Sequence, residues 1–218
     1  MKETQPQFET KSAFVAIVGR PNVGKSSLLN ALVGEKVAIV SSKPQTTRTR
    51  ITGVLTDGDT QLVFIDTPGL HKPRTKLSEY MVRQVGDSVA DVDVAVLVVE
   101  PGDVIQKAEQ SLIDSFTAQR IPAVLVINKI DTLAEKEKLM AQIALFMRAY
   151  AFEAVVPVSA LHGDGVGNVL SELRHFAVLS PFFFDADTLT DQPERVIVAE
   201  IVREKLLRSL FDEVPHGT

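Results

Sequence analysis

A glycine-rich stretch near the N-terminus carries residue types that hold nucleotide phosphates. Residues 19–26 read GRPNVGKS, which fits the pattern G-x-x-x-x-G-K-S/T. Glycines let such a loop wrap closely around phosphates, and the backbone N–H groups at the start of a helix favour anionic oxygens. We expect Lys25 to reach the β- and γ-phosphates and Ser26 to ligate Mg²⁺. The residues expected to contact the nucleotide are Gly19, Arg20, Pro21, Asn22, Val23, Gly24, Lys25, Ser26 and Ser27.

A second motif, DTPG at residues 66–69, follows an apolar run that predicts a strand. We expect the Asp66 carboxylate to hold the Mg²⁺ through a water molecule, and the Gly69 N–H to contact the γ-phosphate until hydrolysis removes it. Thr67 and Pro68 complete the expected contacts. Taken alone, DTPG is an ordinary turn at the end of a strand. Its place after a phosphate-binding loop favours the nucleotide interpretation.

The sequence NKID at residues 128–131 predicts which base is bound. A carboxylate at Asp131 accepts two hydrogen bonds from the N1–H and 2-amino groups of guanine, whereas adenine offers no such pair and leaves the acceptor unpaired. We expect Asn128 and Lys129 to share this site. Asn and Asp are also common turn residues, so NKID alone is a weak signal. The residues expected to support the base from its other side are Ser159, Ala160 and Leu161.

The polar segment SSKPQTTRTR at residues 41–50 has the composition of a switch loop. A threonine hydroxyl in such a loop closes on Mg²⁺ and the γ-phosphate, and it lets go after hydrolysis. We favour Thr47 for this role and keep Thr46 as the alternative. An ordinary basic, solvated loop also fits this composition.

These motifs need a scaffold that brings them together, and the apolar runs predict one. Near-continuous apolar strands that alternate with helices indicate a mostly parallel sheet covered on both faces. The alternating run at 51–56 predicts a hairpin that adds one antiparallel edge strand. The fold class is therefore α/β, a P-loop NTPase with three α/β/α layers and a six-stranded sheet, which binds ligands where its strands end. The predicted strands are 14–18, 62–65, 94–99, 123–127 and 155–158, and the predicted helices are 25–33, 77–90, 108–118, 135–150 and 167–179.

Composition argues against several other classes of protein. The net charge of −5 does not suit a uniformly basic surface that coats nucleic acid, so any contact with RNA must be local. The chain has no cysteine, which excludes disulfides, thiolate catalysis and cysteine-ligated zinc. No apolar run reaches the ~18 residues of a membrane span. We therefore expect a soluble protein of the cytoplasm.

The last part of the chain predicts a linker and a helix. Residues 181–195 are rich in turn residues, and we expect the phenylalanines at 182–184 to pack this linker onto the domain rather than to stack bases. Residues 196–211 predict an amphipathic helix. Its apolar side carries Val198, Val202, Leu206 and Leu210, with Ile201 and Leu207 beside them, while Glu200, Arg203, Glu204, Lys205 and Arg208 face elsewhere.

The motifs GRPNVGKS, PQTTR, DTPGLHKP, NKID and SA occur together, and with them the chain resembles the Era family of bacterial GTPases. The resemblance continues through residues 192–216, which are similar to the linker and opening helix of the family's RNA-binding KH domain. The expected divisions are a flexible N-terminus at 1–12, a GTPase domain at 13–180, a linker at 181–195, and the opening helix of a truncated KH domain at 196–218.

The resemblance implies a GTPase that uses Mg²⁺, converts GTP to GDP, and acts in maturation of the small ribosomal subunit by binding near the 3′ end of its RNA. It also allows a peripheral association with the inner face of the cell membrane. Because the KH domain has barely begun where the chain stops, we expect weak or absent RNA binding by this chain.

Hydrolysis raises a separate question. Many P-loop GTPases place a water-orienting Gln just after the DxxG motif, but here that position holds Leu70, so we expect slow intrinsic turnover. The resemblance suggests that Asn22 helps to bind a potassium ion that stabilises transition-state charge. A simple loop-capping role for Asn22 is the alternative. The expected catalytic residues are Lys25, Asn22, Thr47 and Gly69.

Two other classes of function remain open from the residues alone. One is an ATP-dependent phosphotransferase in which NKID is accidental, and competition by ATP against labelled GDP separates it from a GTPase. The other is a binding module whose only output is a GTP-dependent surface, with hydrolysis merely resetting it. Partner binding that depends on nucleotide but survives loss of turnover favours that second class.

Overall fold

The apolar runs of the sequence lie side by side in one central sheet. The computed structural model describes residues 9–40, 51–66, 92–133 and 136–209, with the backbone alone at 51, 136 and 206–209. The main strands are β1 (Lys11–Gly19), β2 (Ile51–Asp57), β3 (Thr60–Asp66), β4 (Val94–Val99), β5 (Ala123–Ile127) and β6 (Ala154–Pro157). They lie in the order β2-β3-β1-β4-β5-β6. β2 runs antiparallel to β3, and the other neighbours on this path are parallel.

Helices cover both faces of this sheet. They are α1 (Lys25–Val33), α2 (Lys107–Gln119), α3 (Lys136–Ala149), α4 (Val166–Arg174) and α5 (Glu194–Ser209), with a 3₁₀ turn at Ile130–Thr132. Side chains of β1 alternate between the faces: Val15 and Ile17 pack with α1 and α4, whereas Ala16 and Val18 pack with α2 and α3. Strands buried on both faces read as continuous apolar runs. The predicted three-layer α/β fold is confirmed.

Element boundaries follow the predictions closely where glycine or a turn bounds an apolar run. Helix 25–33 and the strands at 94–99 and 123–127 match in full. α1 lies between Gly24 and Gly34, which both have left-handed backbone. The predicted helix at 77–90 lies outside the described residues. Among the helices that are described, none is long and apolar enough to cross a bilayer.

The predicted helix at 167–179 was wrong in its second half. α4 ends at Arg174, and Val178–Leu179 form a short strand, β7, that pairs antiparallel with the first residues of β1. That edge of β1 is accessible because β4 pairs with β1 only from Val15 onward. Backbone groups there need partners, and β7 supplies them. Within the described residues the sheet therefore has seven strands, where six were predicted.

The same pairing corrects the predicted N-terminal boundary. Residues 11 and 12 were assigned to a flexible N-terminus, but Lys11 and Ser12 belong to β1, and Ser12 is buried. Thr10 exchanges hydrogen bonds with Ser180: its Oγ1 donates to the Ser180 carbonyl at 2.7 Å, and the Ser180 N–H donates to the Thr10 carbonyl at 3.0 Å. β3 and β7 thus hold this stretch from both sides.

The linker after β7 is held to the domain by a buried glutamine of β3. Gln61 is fully buried, and its Oε1 accepts hydrogen bonds from the N–H groups of Phe183 and Phe184. Its Nε2 donates to the Phe184 carbonyl at 2.9 Å. The Phe183 ring also meets the Phe14 ring edge-on, with 4.8 Å between centroids. The Phe183 ring thus packs the linker onto the domain as expected, while Phe184 contributes its backbone groups to the same attachment.

α5 lies against residues 36–39 through a face that only partly matches the predicted one, since Ile201 lies there as expected but Val198 and Val202 do not. Val198 and Val202 are each 53% exposed, whereas Glu204, which was expected to face elsewhere, is fully buried. Lys36 Nζ lies 2.6 Å from the Glu204 carboxylate. Helical periodicity identifies an apolar stripe, but it does not show which side a neighbouring cation will attract. The apolar side chains of α5 that line the pocket between this helix and residues 36–39 are Val196, Ile197 and Ile201. The side chains of Leu206, Leu207 and Leu210 lie outside the described residues.

Candidate functional site

The predicted site residues that the structure describes gather at one edge of the sheet. Gly19 ends β1, Asp66 ends β3, Asn128 directly follows β5, and Ser159 lies two residues after β6. Parallel neighbours end on the same side, so their following loops meet there. The loop at 19–24 lies between β1 and α1 and brings the N-terminus of α1 to this edge.

The phosphate-binding loop is shaped by backbone conformations that few residues adopt. Gly24 has φ +94°, and a Cβ added to it would lie 2.2 Å from the Asn128 side-chain nitrogen. Asn22 also has positive φ, at 64°. Asn128 Nδ2 donates to the Val23 carbonyl at 2.9 Å. The loop therefore packs against the NKID segment so closely that only glycine fits at position 24.

Lys25 lies inside the loop and is 7% exposed. Its Nζ donates to the carbonyls of Gly19 at 3.2 Å and Arg20 at 2.9 Å. Burial lowers the pKa of Lys25 from 10.5 to about 8, and the charge of Asp66 opposes part of that shift. An ammonium held by carbonyl oxygens and removed from water binds phosphate oxygens strongly. The geometry suits the phosphate-binding role predicted for Lys25.

Ser26 and Asp66, the residues expected to hold Mg²⁺ directly and through a water, lie side by side. Ser26 Oγ donates to Asp66 Oδ2 at 2.8 Å, and Asp66 is fully buried. One hydroxyl beside one carboxylate, next to a phosphate site, fits a cation that takes most of its ligands from waters and substrate phosphates. The described residues accordingly contain no group of three or more His, Asp or Glu side chains placed to hold a metal on their own.

The predicted base-binding residues meet on the other side of the loop. Ser159 Oγ donates to Asp131 Oδ1 at 2.5 Å, and this hydrogen bond is the main reason that the pKa of Asp131 is lowered. The Asp131 carboxylate is exposed at the surface. The Ala160 N–H donates to Asn128 Oδ1 at 3.0 Å, which ties the two base loops together. Leu161 is 79% exposed beside them.

Lys129 links the base loop to the phosphate loop. Its backbone is left-handed, with φ 63°, and its Nζ donates to the Asn22 carbonyl at 2.6 Å. Its Nζ also forms an ion pair with Glu100, the first residue after β4. Direct hydrogen bonds thus connect the three described motifs: Asn128 and Lys129 donate to backbone carbonyls of the phosphate loop, and Ser26 donates to Asp66. Five of the predicted site residues lie outside the described residues: Thr46, Thr47, Thr67, Pro68 and Gly69.

Comparison with known proteins identifies the family to which this arrangement belongs. A family model described as "50S ribosome-binding GTPase" matches residues 14–129. The GTPase Era of Ruminiclostridium cellulolyticum is 47% identical to this chain over 207 residues, which is 95% of this chain and 69% of that protein. The chain belongs to the Era family of GTPases. The GTPase Era of Clostridioides difficile, another member, is 45% identical and matches 95% of this chain and 70% of its own length.

Solved structures of Era share this fold. Era in complex with MgGDPNP and a segment of 16S ribosomal RNA aligns with a TM-score of 0.84 and 34% identity, over 90% of this chain and 67% of that one. An Aquifex aeolicus Era variant bound to GDP and AlF₄⁻ aligns with the same values. The Era-family chain described here is accordingly a GTPase, and the ATP-dependent phosphotransferase considered from its sequence is set aside.

Two acidic residues beside the Era-family motifs were not predicted from the sequence. Glu109 in the first turn of α2 is buried, and its carboxylate accepts a hydrogen bond from Arg20 Nε at 2.6 Å. Glu100 is the partner of Lys129. The spacing Q-x-x-E from Gln106 to Glu109 does signal a helix start. Glu100 directly follows a strand at the ligand-binding edge, and a charged residue at that position is a signal of a site residue.

Proposed function

We propose that this Era-family GTPase is a molecular switch that binds a guanine nucleotide along the sheet edge from Lys25 to Asp131. Its affinity for small-subunit ribosomal RNA then depends on whether GDP or GTP is bound. The observation that carries the proposal is the connected set of contacts at this edge. Lys25 and the Ser26–Asp66 pair supply the phosphate side, and Asp131, oriented by Ser159, supplies the guanine side. GTP has both a phosphate chain and a guanine base, so one molecule can bind to both sides of the site.

Hydrolysis at this site is an in-line displacement at phosphorus. A water oxygen attacks the γ-phosphorus, and the bond to the β–γ bridging oxygen breaks, so that GDP leaves with that electron pair. Phosphate keeps the added oxygen, and the proton that the water loses passes to a phosphate oxygen or to solvent. The Lys25 ammonium holds the β- and γ-oxygens as negative charge moves toward the bridge. Mg²⁺ bound by Ser26, and through water by Asp66, neutralises charge on the same oxygens. Gly69 and Thr47, or Thr46 in its place, are the residues we assign to sensing the γ-phosphate.

We further propose that Asn22 contributes to a potassium site that replaces the missing water-orienting side chain at Leu70. Asn22 lies in a fixed turn, since its φ is 64° and its carbonyl accepts a hydrogen bond from the Lys129 ammonium. An amide oxygen is a suitable ligand for a monovalent cation, and a cation beside the phosphates stabilises transition-state charge. The alternative, in which Asn22 only caps the loop, predicts no dependence on the identity of the cation.

Turnover of GTP in potassium and in sodium buffers of equal ionic strength tests both proposals. We expect GTP but not ATP to be hydrolysed, Lys25→Ala to abolish turnover, and potassium to accelerate the wild-type chain but not Asn22→Ala. Equal rates in the two salts would remove the potassium site while leaving the GTPase assignment intact. Hydrolysis of ATP at a similar rate would overturn the guanine assignment.

RNA recognition rests on the family and on the 16S ribosomal RNA segment present in one Era structure. If the chain acts as a switch on this RNA, its affinity for a 3′-terminal small-subunit fragment differs between GDP and a non-hydrolysable GTP analogue. The measurement is a fluorescence-anisotropy titration in each nucleotide, with a scrambled RNA of equal length as control. Equal affinity for RNA in both nucleotide states would show that RNA binding does not depend on the bound nucleotide.

We also propose that this GTPase works in the cytoplasm, with a peripheral association at the inner face of the membrane. Co-sedimentation with anionic and neutral vesicles in each nucleotide state measures that association directly. Failure to sediment with either vesicle would limit the proposal to the cytoplasm.

A further inference from the structure

One acidic residue at the ligand-binding edge has no part in the roles assigned so far. Glu100 directly follows β4, and Lys129 follows the neighbouring strand β5 by two residues. The two strands pair in parallel, with Val99 opposite Ile127, and the Asn128 N–H donates to the Val99 carbonyl at 2.8 Å. The backbones that carry Glu100 and Lys129 therefore leave the sheet side by side.

The Lys129 ammonium lies between two partners from different loops. It donates to the Asn22 carbonyl of the phosphate loop at 2.6 Å and forms an ion pair with the Glu100 carboxylate. The side chains of the ion pair are 39% and 31% exposed for Lys129 and Glu100, so water screens the pair only partly. Glu100 therefore holds the ammonium of the NKID motif near the loop that follows β4.

Glu100 is itself held from below by α3. Gln142 is buried, at 4% exposure, and its Nε2 donates to the Glu100 carbonyl at 2.8 Å. The Gly102 N–H donates to Gln142 Oε1 at 3.2 Å. A buried amide with both of its groups bonded to one loop fixes that loop, because breaking either bond leaves a polar group unsatisfied. Unlike most surface ion pairs, this one joins two backbones that are already fixed.

We propose that Glu100 is a positioning residue for nucleotide binding, which acts by holding the Lys129 ammonium and, through it, the Asn22 segment of the phosphate loop. The inference rests on the proposed guanine-nucleotide site and names a residue beyond its motifs. Lys129 touches no reacting atom, and it donates to the backbone carbonyl of Asn22 and not to the side-chain amide proposed to bind potassium. Its position therefore affects binding of GDP and GTP equally and leaves the chemical step unchanged. Asp131 and not Glu100 reads the guanine edge, so the preference for guanine over hypoxanthine is independent of Glu100.

The test uses Glu100→Gln, which keeps the shape of the side chain and one hydrogen-bond acceptor but removes the charge. We expect the Kd for GDP and for a non-hydrolysable GTP analogue to rise by the same factor, about three- to tenfold, since the charge-assisted hydrogen bond becomes a neutral one. We expect KM for GTP to rise with kcat unchanged, and the ratio of Kd for inosine diphosphate to Kd for GDP to stay at the wild-type value. Asp103→Asn is the matched control, since it removes an exposed carboxylate from the same loop, and its Kd should equal that of the wild type.

A double-mutant cycle decides whether Glu100 acts through Lys129. In a Lys129→Met background, Glu100→Gln should change the Kd for GDP by less than about twofold, because the ammonium it holds is gone. An equal effect in both backgrounds, a fall in kcat, or an altered inosine ratio would overturn the inference. Failure of the wild-type chain to bind GDP would instead remove the proposed function, and the two failures are therefore distinguishable. Thermal unfolding of each variant shows whether a loss of affinity is a loss of fold.

Discussion

The buried ammonium of Lys25 predicts that nucleotide affinity depends on pH in a particular direction. In the protein without nucleotide, burial lowers the pKa of Lys25 to about 8. The negative charge of the phosphates favours the protonated form, so nucleotide binding raises that pKa. Binding therefore takes up a proton wherever the free protein has lost it. Affinity must be highest below pH 8 and must fall as the pH rises through 8.

The size of the effect follows from the same value. If Lys25 is fully protonated in the complex, the Kd for GDP rises by about fivefold between about pH 7 and about pH 8.7. Staying below that upper limit keeps most of the guanine N1–H protonated, so recognition by Asp131 is largely preserved. Near pH 8 the complex takes up about half a proton for each GDP bound.

Isothermal titration calorimetry measures both quantities. Titrations at several pH values give the Kd, and titrations at one pH in buffers of different ionisation enthalpy give the number of protons taken up. Lys25→Met is the control: it binds more weakly, and any pH dependence that remains in it does not come from Lys25. A wild-type curve parallel to that of Lys25→Met, or an affinity that rises with pH, would refute the reasoning.

The same pKa shift affects stability with the opposite sign. In the unfolded chain Lys25 has its ordinary pKa of 10.5, so between about pH 8 and 10.5 the unfolded state binds more protons than the folded state. The free energy of unfolding contributed by Lys25 therefore rises with pH through this window. Below pH 8, burying the charged ammonium costs about 3 kcal/mol. Because Lys25→Met removes the cost of burying this charge, it should stabilise the nucleotide-free protein near pH 7.

Three further outcomes follow from the described contacts. Gly24→Ala should weaken GDP binding severely and lower the melting temperature, because the added Cβ would lie 2.2 Å from the side-chain nitrogen of Asn128. The control is Gly34→Ala, which is also at positive φ but has open space around it. This control should lose only about 1 kcal/mol of stability and bind GDP normally. Asp131→Asn should change the preferred base from guanine to xanthine, because the new amide donates a hydrogen bond to the xanthine 2-carbonyl. Competition between XDP and GDP should show a change in preference of about a hundredfold or more. Lys36→Met should weaken the packing of α5 by removing a positive charge 2.6 Å from the buried Glu204 carboxylate, at about 1–3 kcal/mol once the 44% exposure of the lysine is allowed for. Hydrogen exchange should show faster opening of α5, which the added change Glu204→Leu should reverse.

Local pattern was sufficient for the central strands and for the motifs. The strands at 94–99 and 123–127 were predicted in full because burial on both faces requires uninterrupted apolar residues, and helix 25–33 because Gly24 and Gly34 bound it. Four motifs at four strand ends predicted one shared edge, and the structure brings together every part of them that it describes. None of these inferences needed a contact between distant residues.

The predictions that failed depended on which distant segment lies nearby. β7 forms because β4 leaves one side of the start of β1 without a neighbouring strand. The residues Val178–Leu179 themselves give no sign that they pair there. The buried face of α5 was predicted from its apolar periodicity, but Lys36 attracts Glu204 to the packed side. The roles of the switch threonine and of Gly69 stay predictions.

The amino-acid sequence by itself determined the α/β fold, the motifs that bind nucleotide and the Era-family resemblance, because each follows from residues that are neighbours in the chain or repeat with a short period. Only the tertiary structure decided that Glu100 and Glu109 join the site, that Gln61 holds the linker, and that α5 packs through Glu204. These contacts join residues far apart in the chain, and an ion pair or buried hydrogen bond forms only where folding excludes water and brings the two partners within a few ångströms.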